Sequence, residues 1–141
     1  MEDEIRNMEI SNQVSEVSAL AAVREFAVAQ QQLLGQHKGI VMDGRDIGTT
    51  VFPDADLKIY LFANEAIRTQ RRYEEMLLKD QNIRIEEVAI NLKHRDHIDS
   101  TRAISPLRMA NDAIKLDNSH YTMDEQLQIA YQWALEKINE K

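Results

Sequence analysis

Cysteine is absent from the 141 residues, which excludes disulfides and thiolate metal centres and suits a reducing compartment. No apolar run approaches the roughly 18 residues that a membrane-spanning helix requires. The opening Met1-Glu-Asp-Glu-Ile is acidic and lacks the apolar core of a secretion signal, so a cytoplasmic chain without membrane partners is expected. Basic charge is in the minority. Against 24 Asp and Glu stand 17 Lys and Arg, a formal net charge of -7, which disfavours a general nucleic-acid binder. Internal repeats and low-complexity tracts are also missing. What remains, 43% hydrophobic and 29% charged, is one ordinary domain able to bury a core.

The most structured stretch is Gly39-Ile-Val-Met-Asp-Gly-Arg-Asp-Ile-Gly-Thr-Thr50. Ile40, Val41 and Met42 are short and continuously apolar, as in a parallel strand covered on both faces. Gly44 and Gly48 free the following backbone for tight turns. Asp43, Arg45 and Asp46 then gather at the strand's carboxyl end, where ligands bind in open α/β sheets.

The first ten residues read as a loose lead-in and residues 11–15 as short and polar. Ser18 is placed to cap a helix over residues 18–34, because Ala19, Ala22, Val23, Phe26, Ala27, Gln30 and Leu33 recur at three- and four-residue intervals, and Gly35 stops it. Beyond the turn at Pro53, residues 57–62 form a second strand. Asn64 caps a helix to about Lys79; residues 80–84 break the pattern, and residues 86–97 resume it as a helical hairpin. Residues 112–117 make a third strand. The last helix covers residues 122–140, with Leu127, Ala130, Tyr131, Ala134, Leu135 and Ile138 along one stripe. Strands alternating with helices predict an α/β fold with a parallel sheet flanked by helices.

Arginines concentrate between Arg68 and Arg108, and a locally basic site on an acidic body suits a small anionic ligand. Arg95, Asp99 and Arg102 lie at i, i+4 and i+7 on one helix face. They form either a surface ion row or a pair of guanidinium forks facing a phosphate. Arg24 is either a solvated partner of a nearby acid or part of the same site. Asp43 is either a turn cap or a carboxylate that holds Mg²⁺ or its waters. His94 and His97 have only weak metal-ligand spacing and read as surface residues.

The segment of residues 42–63, together with Glu9-Ile-Ser-Asn-Gln-Val-Ser15, Val23-Arg24 and Arg95-Asp-His-Ile-Asp-Ser-Thr-Arg-Ala-Ile-Ser-Pro-Leu107, resembles bacterial cytidylate (CMP) kinase, in the family's order and over nearly the whole chain. The resemblance implies a P-loop NTPase-like nucleoside monophosphate kinase core. It implies transfer of the γ-phosphoryl group of ATP to CMP or dCMP, giving CDP or dCDP, with Mg²⁺. In that family the residues matching Ser15, Arg24 and Asp46 contact cytosine. Those matching Asp99 and Arg95 contact the sugar, Arg95 also lying near the phosphates, and those matching Arg45 and Arg102 clamp the CMP phosphate. Arg71 and Arg72 are candidates for closing on ATP phosphates, within a lid of about residues 64–97 in a partial core domain of residues 1–141.

One family element has no counterpart. No Gly-x-x-x-x-Gly-Lys-Ser/Thr run occurs, so the phosphate-loop strand, its backbone amides and its lysine are not expected. In the family that strand lies between the partners of residues 40–43 and 57–62. Here those two strands either pair directly or leave a gap that another chain fills by self-association. A non-catalytic CMP-binding or interaction module, and a monophosphate kinase of altered base choice, are the alternative readings.

Overall fold

A computed structural model describes residues 8–78 and 81–140. Two helices lead the chain, α1 (Met8–Ala19) and α2 (Ala21–Leu34). A π-helical turn at Ile47–Val51 precedes β1 (Ile59–Phe62); α3 (Glu65–Leu77), α4 (Ile85–Thr101), β2 (Ile114–Asp117) and α5 (Met123–Asn139) follow. The two strands pair in parallel, Ile59 opposite Ile114 and Phe62 opposite Asp117, with α3 and α4 forming the crossover. This is the small parallel sheet flanked by helices that the strand and helix periodicities predict.

The N-terminal third departs from expectation. Residues 1–7 of the expected lead-in lie outside the described residues, but Met8 to Ile10 and the polar stretch after them are helical. The Ser18 hydroxyl donates to the Ser15 carbonyl at 3.0 Å within α1 instead of capping α2, and Leu20, with extended backbone, separates the helices. The reason is how α1 packs. Ser11 and Ser15, four apart, are its buried residues, and the Ser11 hydroxyl donates to Asn91 of α4 at 3.0 Å. Small polar contacts carry no hydrophobic period.

The expected strand at residues 39–43 does not form. Val41 is fully solvent-exposed. A strand needs a partner ladder. The sheet among the described residues consists of β1 and β2 alone, with no strand seated beside Ile40 to Met42. The stop at Gly35 is real but owes nothing to left-handed backbone, since its φ is -88°. A side-chain carbon there would collide with the Phe52 ring, so close packing requires glycine.

Asn64 caps α3 through its Oδ1, which accepts from Ala66 N at 2.9 Å. The end expected at Lys79, and Asp80 of the following break, lie outside the described residues. Met76, Ile83 and Val88 form the core of the α3–α4 hairpin, with Tyr73 and Leu92 packed around them. Thr122 and Glu125 close a capping box at the start of α5. The stripe expected to bury α5 is largely uncovered, because no residue of that helix is fully buried and Leu127, Tyr131 and Ile138 face solvent.

Candidate functional site

Three parts of the fold meet behind the π-helical turn. The Asp46 carbonyl accepts from Thr50 N at 2.9 Å and from Thr49 and Val51 at 3.3 Å, which fixes Asp46 at the mouth of that turn. Its side chain points inward to Arg24 of α2, whose Nη2 donates to Oδ1 at 2.9 Å. From the opposite side comes the end of α4. Arg102 caps that helix, donating its backbone N–H to Ile98, then leaves helical conformation and sends Nε to the Ser105 carbonyl at 2.8 Å.

These contacts build a row of alternating charge. From Asp46 Oδ1 it passes to Arg102 Nη2 at 3.8 Å, and from Arg102 Nη1 to Asp99 Oδ1 at 3.5 Å. Asp99 Oδ2 faces Arg45 Nε at 3.3 Å, and Arg45 Nη1 reaches Asp96 Oδ1 at 3.1 Å. Arg68 of α3 closes the row on Asp96 Oδ2 at 2.5 Å. Arg24, Asp46, Asp99 and Arg102 are all buried, so water cannot satisfy them freely.

Burial without satisfaction points to a ligand. Asp46 Oδ2, Arg24 Nε, Arg102 Nη2 and Arg95 Nε are buried and make no hydrogen bond. Each orphaned buried group costs on the order of 1–3 kcal/mol, so four in one place mark a site built for something more than stability. Burial holds the Arg102 guanidinium below its ordinary pKa, against the pull of Asp46. Burial does the same to Arg95, with the Arg45 charge acting in the same direction and Asp99 opposing. Both stay charged, since arginine titrates far above neutrality, and an anion would relieve both.

The structure thus brings together Arg24, Arg45, Asp46, Asp99 and Arg102, with Arg95 alongside. Ser15 is buried on α1. Arg95 Nη1 reaches the Ser11 hydroxyl at 3.4 Å, a contact with no signal in the spacing. Asp43 is exposed, and among the described residues no group of three or more His, Cys, Asp or Glu is arranged to hold a metal. Arg71 turns away from the row: its Nη2 donates to the carbonyls of Asn118 at 2.9 Å, Tyr121 at 3.2 Å and Ser119 at 3.3 Å. Arg72 pairs with Glu75 at 2.8 Å, and its charge is still felt at Arg95. His94 is exposed and meets Glu16 at 2.7 Å. Asp96 escaped the sequence reading although it lies three residues before Asp99, a spacing that shares a helix face.

Comparison with known proteins places the chain in a family. The family model described as Cytidylate kinase matches residues 1–135. A cytidylate kinase of Bacteroides fragilis is 58% identical over 138 residues, covering 96% of this chain and 60% of its own length. One from Phocaeicola vulgatus is 56% identical, covering 98% of this chain and 58% of its own length. One from Porphyromonas gingivalis is 50% identical, covering 99% and 59%. The chain therefore spans about 60% of the length of the curated relatives it matches, with B. fragilis as the example. On the match across residues 1–135 and on these identities, the chain belongs to the cytidylate kinase family.

Proposed function

We propose that this chain carries the nucleotide-acceptor site of a (d)CMP kinase, which moves the γ-phosphoryl group of ATP to CMP or dCMP. The observation that carries the reading is the buried part of the row, Arg24, Asp46, Asp99 and Arg102, with three unsatisfied atoms and a fourth on Arg95 alongside. Asp46, as an ionised carboxylate, accepts only, and its free Oδ2 suits the exocyclic amine of cytosine, where uracil would present a second oxygen. Arg24 beside it donates to ring acceptors, and Ser15, buried on α1, is the further residue assigned to the base by the resemblance. Arg45 and Arg102 offer planar forks to the phosphate, and Arg95 and Asp99 serve the sugar. Residues 64–97 act as the lid, Arg71 and Arg72 being its candidates for the ATP phosphates. Mg²⁺ would arrive with those phosphates, keeping most of its waters, and Asp43 is the carboxylate on this chain suited to hold one.

A second reading has a specific observation in its favour. With no Gly-x-x-x-x-Gly-Lys-Ser/Thr run, the chain by itself offers neither the lysine nor the oriented amides on which phosphoryl transfer depends. The chain alone then binds CMP with negligible turnover. Titration calorimetry with CMP, UMP and cytidine, beside an ATP-dependent CMP phosphorylation assay, tests both. CMP binding stronger than that of UMP, without turnover, is the expected result. Equal affinity for CMP and UMP would remove the acceptor-site reading, and rapid turnover would remove the second.

A further inference from the structure

Asp96 stands where two arginines from different elements meet. Its Oδ1 accepts from Arg45 Nη1 at 3.1 Å, on the loop after Met42, and its Oδ2 accepts from Arg68 Nη1 at 2.5 Å, on α3. Arg68 is itself fixed, because its Nε donates to the Ala63 carbonyl just after β1 at 3.2 Å. Asp99, one turn further along α4, takes Arg45 Nε at 3.3 Å. The guanidinium of Arg45 is thus held by two carboxylates of one helix face, Asp96 at Nη1 and Asp99 at Nε.

Two guanidinium groups drawn to one point repel each other unless an anion lies between them. Asp96 is that anion. Its side chain is only 28% exposed, against 36% for Arg45 and 37% for Arg68, so the three are partly withdrawn from water. Pairs of this kind add little to stability, and their consequence is geometric. A phosphate clamp works when its forks are already aimed, since misaimed side chains must be ordered at the cost of binding.

We propose that Asp96 is a positioning residue. It aims Arg45 at the ligand's phosphate and ties the loop after Met42 to Arg68 of α3, so the hairpin and the acceptor site keep one relative arrangement. The proposal rests on the acceptor-site reading for the identity of the ligand, but the tether itself does not.

Asp96→Asn preserves shape while removing the charge. In titrations of the full chain, CMP affinity is expected to fall about fivefold to tenfold while cytidine affinity holds, as loss of a charge-assisted contact to a phosphate-facing arginine requires. Asp96→Glu should recover part of the loss, which a merely structural defect would not. If the variant binds CMP as well as the parent, or more tightly because a rival anion has gone, the proposal is overturned. Should the parent bind neither CMP nor cytidine, the acceptor reading fails and the tether is decided by NMR. The Nη1–H signals of Arg45 and Arg68, which Asp96 holds in the parent, should become solvent-averaged in Asp96→Asn. Signals unchanged by the substitution would overturn it.

Discussion

At the scale of single residues, the site divides between base reading and phosphate holding. Asp46 and Arg102 share the ion row, separated by 3.8 Å, yet their chemistry separates their variants. Asp46→Ala is expected to weaken CMP binding and to narrow the gap to UMP, because a site built to pair one polar group discriminates strongly only while that partner is present. Arg102→Ala should weaken both nucleotides about equally, since it addresses the phosphate they share. An Asp46→Ala chain that retains its full preference for CMP in calorimetry would transfer base reading to another residue. Much of this was legible in the residues. Arg95, Asp99 and Arg102 share a face by spacing alone, and Asp46 sits in a loop after an apolar run. That Arg24 joins Asp46 at 2.9 Å was not legible from spacing, because 22 residues separate them and only the folded chain closes that distance.

At the scale of elements, the helices with caps and the paired strands follow their local sequence, while those packed by polar contacts do not. Asn64, Thr122 and Glu125 sit where cap chemistry places them. Thr122→Ala should cost α5 about 1 kcal/mol, read as faster amide exchange in its first turn. No change in exchange there would mean that packing sets this helix boundary. Arg71 acts between elements, pinning the turn after β2 to α3 through three carbonyls. Arg71→Ala is expected to lower stability by about 1–2 kcal/mol in urea titration without any nucleotide, as loss of charge-assisted hydrogen bonds predicts. If stability is unchanged and only nucleotide binding suffers, its role lies in the lid alone. The break at Leu20 and the burial of Ser11 were illegible for one reason: α1 presents serine to α4, and small polar side chains look like surface in any periodicity.

At the scale of the whole molecule, the chain exposes more surface than its mass requires, large apolar side chains included. Its accessible surface is 10176 Å², against roughly 7,500 Å² for a compact monomer of this mass. Phe26 and Leu33 on α2, Val41, Leu61 on β1, and Leu127 on α5 are uncovered. Self-association that rises with concentration is therefore expected in sedimentation velocity, and a monomer at every concentration would count against it. The acid limb of stability follows from exposed carboxylates that are held below their ordinary pKa: Glu16 by His94, Glu87 by Arg84, Asp112 by Lys58, Asp117 by Ser119 and Glu125 by Thr122. A carboxyl that is more acidic when folded stabilises above its unfolded pKa and loses that contribution as pH falls through the folded one. Melting temperature should accordingly be level near neutrality and decline below about pH 4; a decline beginning at pH 6 would point to histidine instead. The sequence by itself determined the alternation of strand and helix from β1 onward, the caps at Asn64 and Thr122 and the arginine-rich segments, because these depend on neighbours three or four residues away. Only the tertiary structure decided which strands pair, that residues 39–43 stay unpaired, and that seven side chains from α2, the π-helical turn, α3 and α4 align in one row of alternating charge. Those outcomes depend on distance through space, and a carboxylate placed between two arginines leaves no periodic trace along the chain.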